Sequence, residues 1–198
     1  MENGPIKIKR ETKETSISLS LSLSREGEEQ IQVQTGIPFF DHLLTAFAFH
    51  GGFNLSLEAN GDLMVDYHHT VEDVGLVLGD GFHRLFESSP RVMRYGYSII
   101  PMDDALSEVI VDVCERPYLV YNIDFPEEMV GTFPVRLLKE FFYAFCHRAR
   151  INIHLLARYG ENSHHMAESL FKAFGKALAQ AYQPLGGSRE RMSTKGTL

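Results

Sequence analysis

The same kind of five-residue word occurs twice in the chain: His68-His69-Thr70-Val71-Glu72 and, 96 positions later, His164-His165-Met166-Ala167-Glu168. Paired histidines followed by a glutamate are metal-ligand chemistry. A second copy at long range restricts the fold to two versions of one supersecondary unit. Each word leads into an apolar stretch of helical period, Val71 to Phe86 and Met166 to Tyr182, which places it at a helix start. There the first histidine and the glutamate, at i and i+4, share a face, while the second histidine is turned by about 100°. One word can therefore offer ligands to two different ions, and two words can build a pair of sites. Neither copy has the zinc-protease order His-Glu-x-x-His.

Other segments fall into register when the words are aligned. Ile37 to Leu44 precedes the first and Val135 to Phe142 the second, with 26 residues from His42 to His68 and 24 from Glu140 to His164. Alternating patterns predict strands over Ser16–Ser24 and Gln30–Gln34 in one half, and over Ala105–Val113 and Tyr118–Ile123 in the other. Further strands are expected over Phe53–Leu57 and Ile151–Leu155. Each half then reads β-β-α-β-α, giving an α+β fold of tandem duplicated half-domains with sheets faced by helices. The expected organisation is a single domain over 1–198, with half-repeats at roughly 6–90 and 91–183 joined at Ser88-Ser89-Pro90. The tail 184–198 has no periodic pattern and is expected to be mobile unless a ligand orders it. Gly79, Gly81 and Gly175 interrupt helical stretches and read as points of close packing. Phe141, Phe142, Phe171 and Phe174 at helical spacing read as core, and His83 and His147 as surface or packing residues.

A chain of 198 residues with 44% hydrophobic content can bury one sizeable core. Net charge of −7 and scattered cations argue against nucleic-acid binding, which needs a basic face. Two cysteines, Cys114 and Cys146, suit neither a disulfide framework nor a cysteine zinc site and fit a reducing, cytoplasmic setting. No apolar leader precedes Lys13, and no stretch approaches a membrane span. On the residues alone two kinds of reading stand: a dimetal enzyme, such as a hydrolase using metal-bound hydroxide, or a metal-clamped assembly.

The ordered set Thr12 to Thr15, Thr35 to His42, Gly61-Asp62, His68 to Asp73, Arg94-Tyr95-Gly96, Arg116-Pro117, Asn162 to His165, Phe171 to Phe174 and Ser193 to Gly196 resembles the imidazoleglycerol-phosphate dehydratases, lyases of histidine biosynthesis, in their monofunctional form. The resemblance implies a ribosomal protein S5 domain 2-like fold, two manganese ions per active site, and a homo-oligomer of 24 chains with sites between subunits. It implies one metal on His42, His69, His164 and Glu168, and another on His68, Glu72, His165 and Glu140. Glu140 stands where many relatives have histidine, with His154 as the alternative ligand, and Tyr67 stands where an aspartate is more usual. Glu14 matches the acid/base glutamate. Arg94, Arg116 and Lys195 match phosphate contacts, with Lys172, Ser193 and Thr194 beside them, and His50 matches a substrate-pocket position. Asp103 and Asp104, repeat counterparts of Glu14, either line the site or cap a strand.

Overall fold

A computed structural model describes residues 4–23, 30–89 and 91–185. The first half runs β1 (Ile6–Glu11), β2 (Thr15–Leu23), β3 (Ile31–Gln34), α1 (Pro38–Gly51), β4 (Phe53–Gly61) and α2 (His68–Ser88). The second repeats it as β5 (Tyr95–Met102), β6 (Ala105–Asp112), β7 (Tyr118–Asn122), α3 (Leu137–Ala149), β10 (Asn152–Tyr159) and α4 (Ser163–Ala181). A small hairpin, β8 (Met129–Val130) with β9 (Phe133–Pro134), is inserted before α3.

The two sheets have the same strand order, β1-β2-β4-β3 and β5-β6-β10-β7. Each half thus carries one strand more than its sequence pattern suggests, because β1 and β5 lead their sheets at an edge. The expected strand pairs also separate: β3 lies parallel to β4, which stands between it and β2, and β7 lies parallel to β10 in the same way. Parallel neighbours need a crossover, and α1 and α3 provide it.

One face of each sheet is buried. In β2, Ile17, Leu19 and Leu21 point inward while Ser18 and Ser20 do not; in β6, Ser107, Val109 and Val111 point inward. The four helices fill the space between the sheets, with α1 packed on α4 and α2 on α3, so each helix pair joins the two halves. Phenylalanines knit this layer: ring centroids lie 5.1 Å apart for Phe47 and Phe174, 5.5 Å for Phe141 and Phe171, and 5.1 Å for Phe142 and Phe174.

Two glycines set how closely the pairs approach. A Cβ on Gly175 would stand 2.2 Å from the Phe47 carbonyl oxygen, and one on Gly79 would stand 2.6 Å from that of Phe145. Gly79 and Gly175 are themselves 96 positions apart, so the repeat extends from sequence into helix packing. Gly81 differs: it faces the Leu19 and Leu21 side chains of β2 rather than a helix. Gly75, unremarked in the sequence, lies on the Phe141 carbonyl.

Pro90 of the expected joint and residues 186–198 of the expected tail, including Ser193, Thr194 and Lys195, lie outside the described residues. The tail's first residues are paired: Pro184 bridges Val92, and Leu185 N–H donates to the Arg91 carbonyl at 2.9 Å. Among the described residues, no helix is long and apolar enough to cross a membrane.

Candidate metal centre and active site

Both words open helices, and local capping explains why. Asn162 is the N-cap of α4, its side-chain oxygen accepting from the backbone N–H of His164 at 2.8 Å and of His165 at 3.3 Å. Asp66 accepts from His68 N–H at 2.8 Å at the start of α2. Free helix-start amides are thereby satisfied just where the imidazoles emerge.

The parallel packing of α1 on α4 brings His42 to the second word. Glu168 Oε2 lies 3.0 Å from His42 Nε2 and 3.1 Å from His164 Nε2. Ligand atoms of His42, His164 and Glu168 all lie within 4.8 Å of one another, and this is the group of three so gathered among the described residues. Burial pushes the Glu168 carboxyl up, but hydrogen bonds from Lys172 and His42, with the Lys172 charge, outweigh it and hold the group at about 2. Lys172 Nζ donates to Glu168 Oε1 at 2.8 Å, leaving Oε2 for the histidines. Two imidazole nitrogens and an ionised carboxylate oxygen form a donor set that fits a divalent ion accepting mixed nitrogen and oxygen ligands.

The first word repeats half of this arrangement. His68 Nε2 lies 3.4 Å from Glu72 Oε2 across one helical turn. Gly175 meets Phe47 and Gly51, Gly79 meets Phe145 and Ala149, and by the same offset the repeat counterpart of His42 is Glu140. Glu140 lies on α3, which packs against α2, but the ligand atoms of His68, Glu72 and Glu140 are not gathered into a group as those of His42, His164 and Glu168 are. His154 is exposed, alternating with buried Ile153 and Leu155 on β10, and so lies on the sheet face turned away from the helices.

The second histidines of the words look elsewhere, as the 100° turn requires. His69 Nδ1 lies 2.9 Å from Asp62, and its Nε2 lies 3.9 Å from Glu14 on the β1–β2 tip. His165 Nδ1 lies 2.5 Å from Asp104 on the β5–β6 tip, with Asp103 at 3.6 Å. Hydrogen bonds to the Asp62 and Asp104 carboxylates raise these two imidazoles above their ordinary value. Such carboxylates fix ring orientation and leave Nε2 for a ligand. Neither word signals these partners, because only the turn after β4 brings Asp62 to His69 and only the β5–β6 tip brings Asp104 to His165.

The remaining sequence-derived residues divide. His50 ends α1, and its imidazole is pushed down by burial and by the charges of Lys172 and Lys176. Arg94 and Arg116 lie at the opposite end of the second sheet from Asp104. Arg94 binds Asp112 through Nε at 2.7 Å and Nη2 at 3.2 Å, while Arg116 donates to the Cys114 carbonyl. The eight residues of β5 separate that end from the tip, roughly 26 Å at about 3.3 Å per residue. Tyr67 fills its position without an acid: it stacks near Phe133 at 6.5 Å and donates to Thr132 at 3.4 Å, tying the inserted hairpin to the start of α2.

Residues 35–178 match the family model of imidazoleglycerol-phosphate dehydratase. The chain belongs to the imidazoleglycerol-phosphate dehydratase family. It is 47% identical to the imidazoleglycerol-phosphate dehydratase of Pelobacter propionicus over 191 residues, 96% of this chain and 97% of the relative. That of Gluconobacter oxydans is 46% identical over 199 residues, covering 100% of this chain and 99% of its own. The crystal structure of the Staphylococcus aureus dehydratase superposes with a TM-score of 0.83 at 36% identity, covering 91% of this chain and 99% of that one. The Pyrococcus furiosus enzyme, solved with (S)-C348, gives 0.82 at 38% identity over 96% and 100%. A chain of this family is an enzyme of the hydro-lyase class.

Proposed function

We propose that this protein dehydrates imidazoleglycerol phosphate to imidazole acetol phosphate and water in L-histidine biosynthesis, as a cytoplasmic enzyme holding two manganese ions per active site in a 24-chain homo-oligomer. The observation that carries the reading is the His42, His164 and Glu168 group, built by a helix contact between the duplicated halves of a chain of this family.

One ion falls to His42, His164 and Glu168, the other to His68, Glu72 and Glu140. His69 and His165 complete sites on neighbouring copies, since neither can turn toward the ion its own word serves. The division of labour elsewhere in the chain favours the same arrangement. Arg94 and Arg116 are too far from Lys172 and His165 to act on one substrate with them, so the phosphate contacts of each site draw on another copy. The outer faces of the sheets differ to match: β2 shows Ser16, Ser18, Ser20 and Ser22, whereas the second sheet shows exposed Tyr95, Tyr97, Ile99 and Tyr118.

When bound, the two cations would supply Lewis acidity to the imidazole ring of the substrate, making it the electron source that no adjacent carbonyl provides. The protein's part is to place the substrate and handle protons. Glu14, exposed at its hairpin tip, takes the hydrogen as a proton from the carbon beside the one losing hydroxyl and returns it to complete the water or the ketone. Lys172, beside Glu168 and close to His50, adds positive charge at the floor of the site. Lys195, Ser193 and Thr194 are assigned to the phosphate with Arg94 and Arg116.

Turnover of imidazoleglycerol phosphate by chelator-stripped protein, with and without added manganese, tests the reading. Formation of imidazole acetol phosphate only with manganese is the expected result. Silence in both, from folded and metal-loaded protein, overturns it. Glu14→Gln should lower turnover by about 10² to 10⁴-fold with bound metal unchanged.

A further inference from the structure

The hairpin tip that carries Glu14 is held by a buried carboxylate that the reaction itself does not use. Asp73, 8% exposed on α2, binds the Thr15 hydroxyl and the Arg10 guanidinium through the same oxygen, Oδ2. Thr15, the first residue of β2, is 3% exposed, and Arg10 comes from β1, so the carboxylate grips both strands of the hairpin at its tip. Above this grip the tip is closed on itself: Thr12 Oγ1 accepts from the N–H of Glu14 at 3.1 Å and of Thr15 at 3.0 Å, while Thr12 N–H donates to the Thr15 carbonyl at 2.8 Å. Asp73 stands four residues after His69 and so shares its helical face. One face of α2 thus clamps the base of the tip through Asp73 and meets the Glu14 carboxylate through His69 at 3.9 Å.

The duplication supplies an internal control. The position equivalent to Asp73, 96 residues on, is Ser169, which is buried and shares a 2.7 Å hydrogen bond with Ser107 of β6. That neutral contact suffices where the β5–β6 tip reaches its histidine directly, through Asp104 and His165. On the half that carries Glu14, the carboxylate has no such bond to hold it in place, and there the fold has a buried ionic clamp instead. A buried carboxylate that accepts a hydroxyl and pairs with a guanidinium loses far more when one partner is removed than a hydroxyl pair does.

We propose that Asp73, with Thr15 and Arg10, is a positioning residue for Glu14: it fixes the β1–β2 tip so that the Glu14 carboxylate is held at the metal-bearing end of α2. This rests on the acid/base reading of Glu14 given above. The group does not touch substrate; it acts by removing the freedom of the tip, and misplacement by about 1 Å is enough to cost on the order of 10²-fold in rate.

The test is a double-mutant cycle on the full-length, metal-loaded protein, with Asp73→Asn and Thr15→Val each made alone and together with Glu14→Gln. Turnover, KM, bound metal per chain and thermal midpoint are measured for each, at protein concentrations that reveal residual rates. Each single change should lower kcat by about 10- to 100-fold with KM and metal content held within about twofold, and should add nothing once Glu14→Gln is present. A fall that multiplies with Glu14→Gln, a fall that follows metal loss, or an unchanged kcat in both variants overturns the proposal. Thr15→Val leaves the Asp73 and Arg10 pair in place and carries the test if Asp73→Asn does not fold. Full turnover in Glu14→Gln alone would instead remove the acid/base reading, and the clamp's catalytic meaning with it. An inactive Glu14→Gln beside a fully active Asp73→Asn would remove the clamp alone.

Discussion

Gly175→Ala should destabilise the protein although it replaces a helix breaker with the best helix former. In an exposed helix the exchange would stabilise by about 1 kcal/mol. Here the added Cβ would stand 2.2 Å from the Phe47 carbonyl oxygen and 3.1 Å from the Gly51 nitrogen, both backbone atoms of α1. Neither can rotate away, so α1 and α4 must part by roughly 1 Å to restore ordinary contact, opening the Phe47 and Phe174 packing as they do. Overpacking of this kind costs about 3 kcal/mol, which leaves a net loss of about 2 kcal/mol. For a chain of this size that is a fall of about 4–8 °C in the thermal midpoint. Gly81→Ala is the control, because its Cβ would meet only the Cδ2 ends of Leu19, at 2.8 Å, and Leu21, at 3.1 Å. Those methyls can turn aside, so this variant should be near neutral. Melting curves of chelated protein decide the matter. A midpoint for Gly175→Ala at or above the parent would refute the claim that backbone contact at this glycine sets the distance between α1 and α4, and with it the placing of His42 against Glu168.

Glu140→Ala should remove about one of the two proposed cations per site and most turnover, while Glu140→His keeps both, since imidazole and carboxylate each suit such an ion; metal analysis of purified protein checks this, and full metal content in the alanine variant would speak against Glu140 as a ligand. Cys114 and Cys146 are both fully buried, and burial raises both thiols, Cys146 to about 11. Iodoacetamide at pH 8 should therefore label neither in the native protein and both after guanidinium unfolding, as read by mass spectrometry. The Asp104 carboxyl is lowered to about 2, chiefly by its hydrogen bond to His165 and then by the backbone N–H of Glu161. Its folded value lies below its unfolded one, so its contribution to stability is present above about pH 4 and lost as pH falls toward 2. In metal-free protein, Asp104→Asn should flatten the acid limb of a stability profile over that window, and an unaltered limb would contradict the assignment.

The parts of the fold that were legible in the sequence were those written in local period. β2 alternates serine with Ile or Leu because one face meets the helices and the other does not, and that pattern survives without any knowledge of the partner strand. β5 hides for the opposite reason: Tyr95, Tyr97 and Ile99 are exposed on its outer face, so no polar alternation marks it. β1 does alternate, Ile6-Lys7-Ile8-Lys9, but at a sheet edge its inner residues are only half-buried, and the signal is correspondingly weak. Pairing order was beyond local reading altogether, since only the crossover through α1 puts β4 between β2 and β3.

The site divides along the same line. Ligand words are local, and i, i+4 geometry on a helix is enough to join His68 to Glu72 and His164 to Glu168. Asp62, Asp104 and Asp73 act across 7, 61 and 58 positions of sequence, on partners that only the turn after β4 or the hairpin tips bring near. Duplication makes such groups visible once the structure is known, because equivalent positions share backbone surroundings and can be compared directly. Where both halves perform the same task at the same place, the residues agree, as with the glycines at 79 and 175. Where they differ, the cause is packing in some places, as with Gly75 against Phe171, and is proposed to be chemistry at Asp73 against Ser169 and His42 against Glu140. At the polar positions of the second kind, substituting each residue with its own repeat counterpart tests the proposed chemistry with a side chain that the same backbone surroundings already accommodate in the other half.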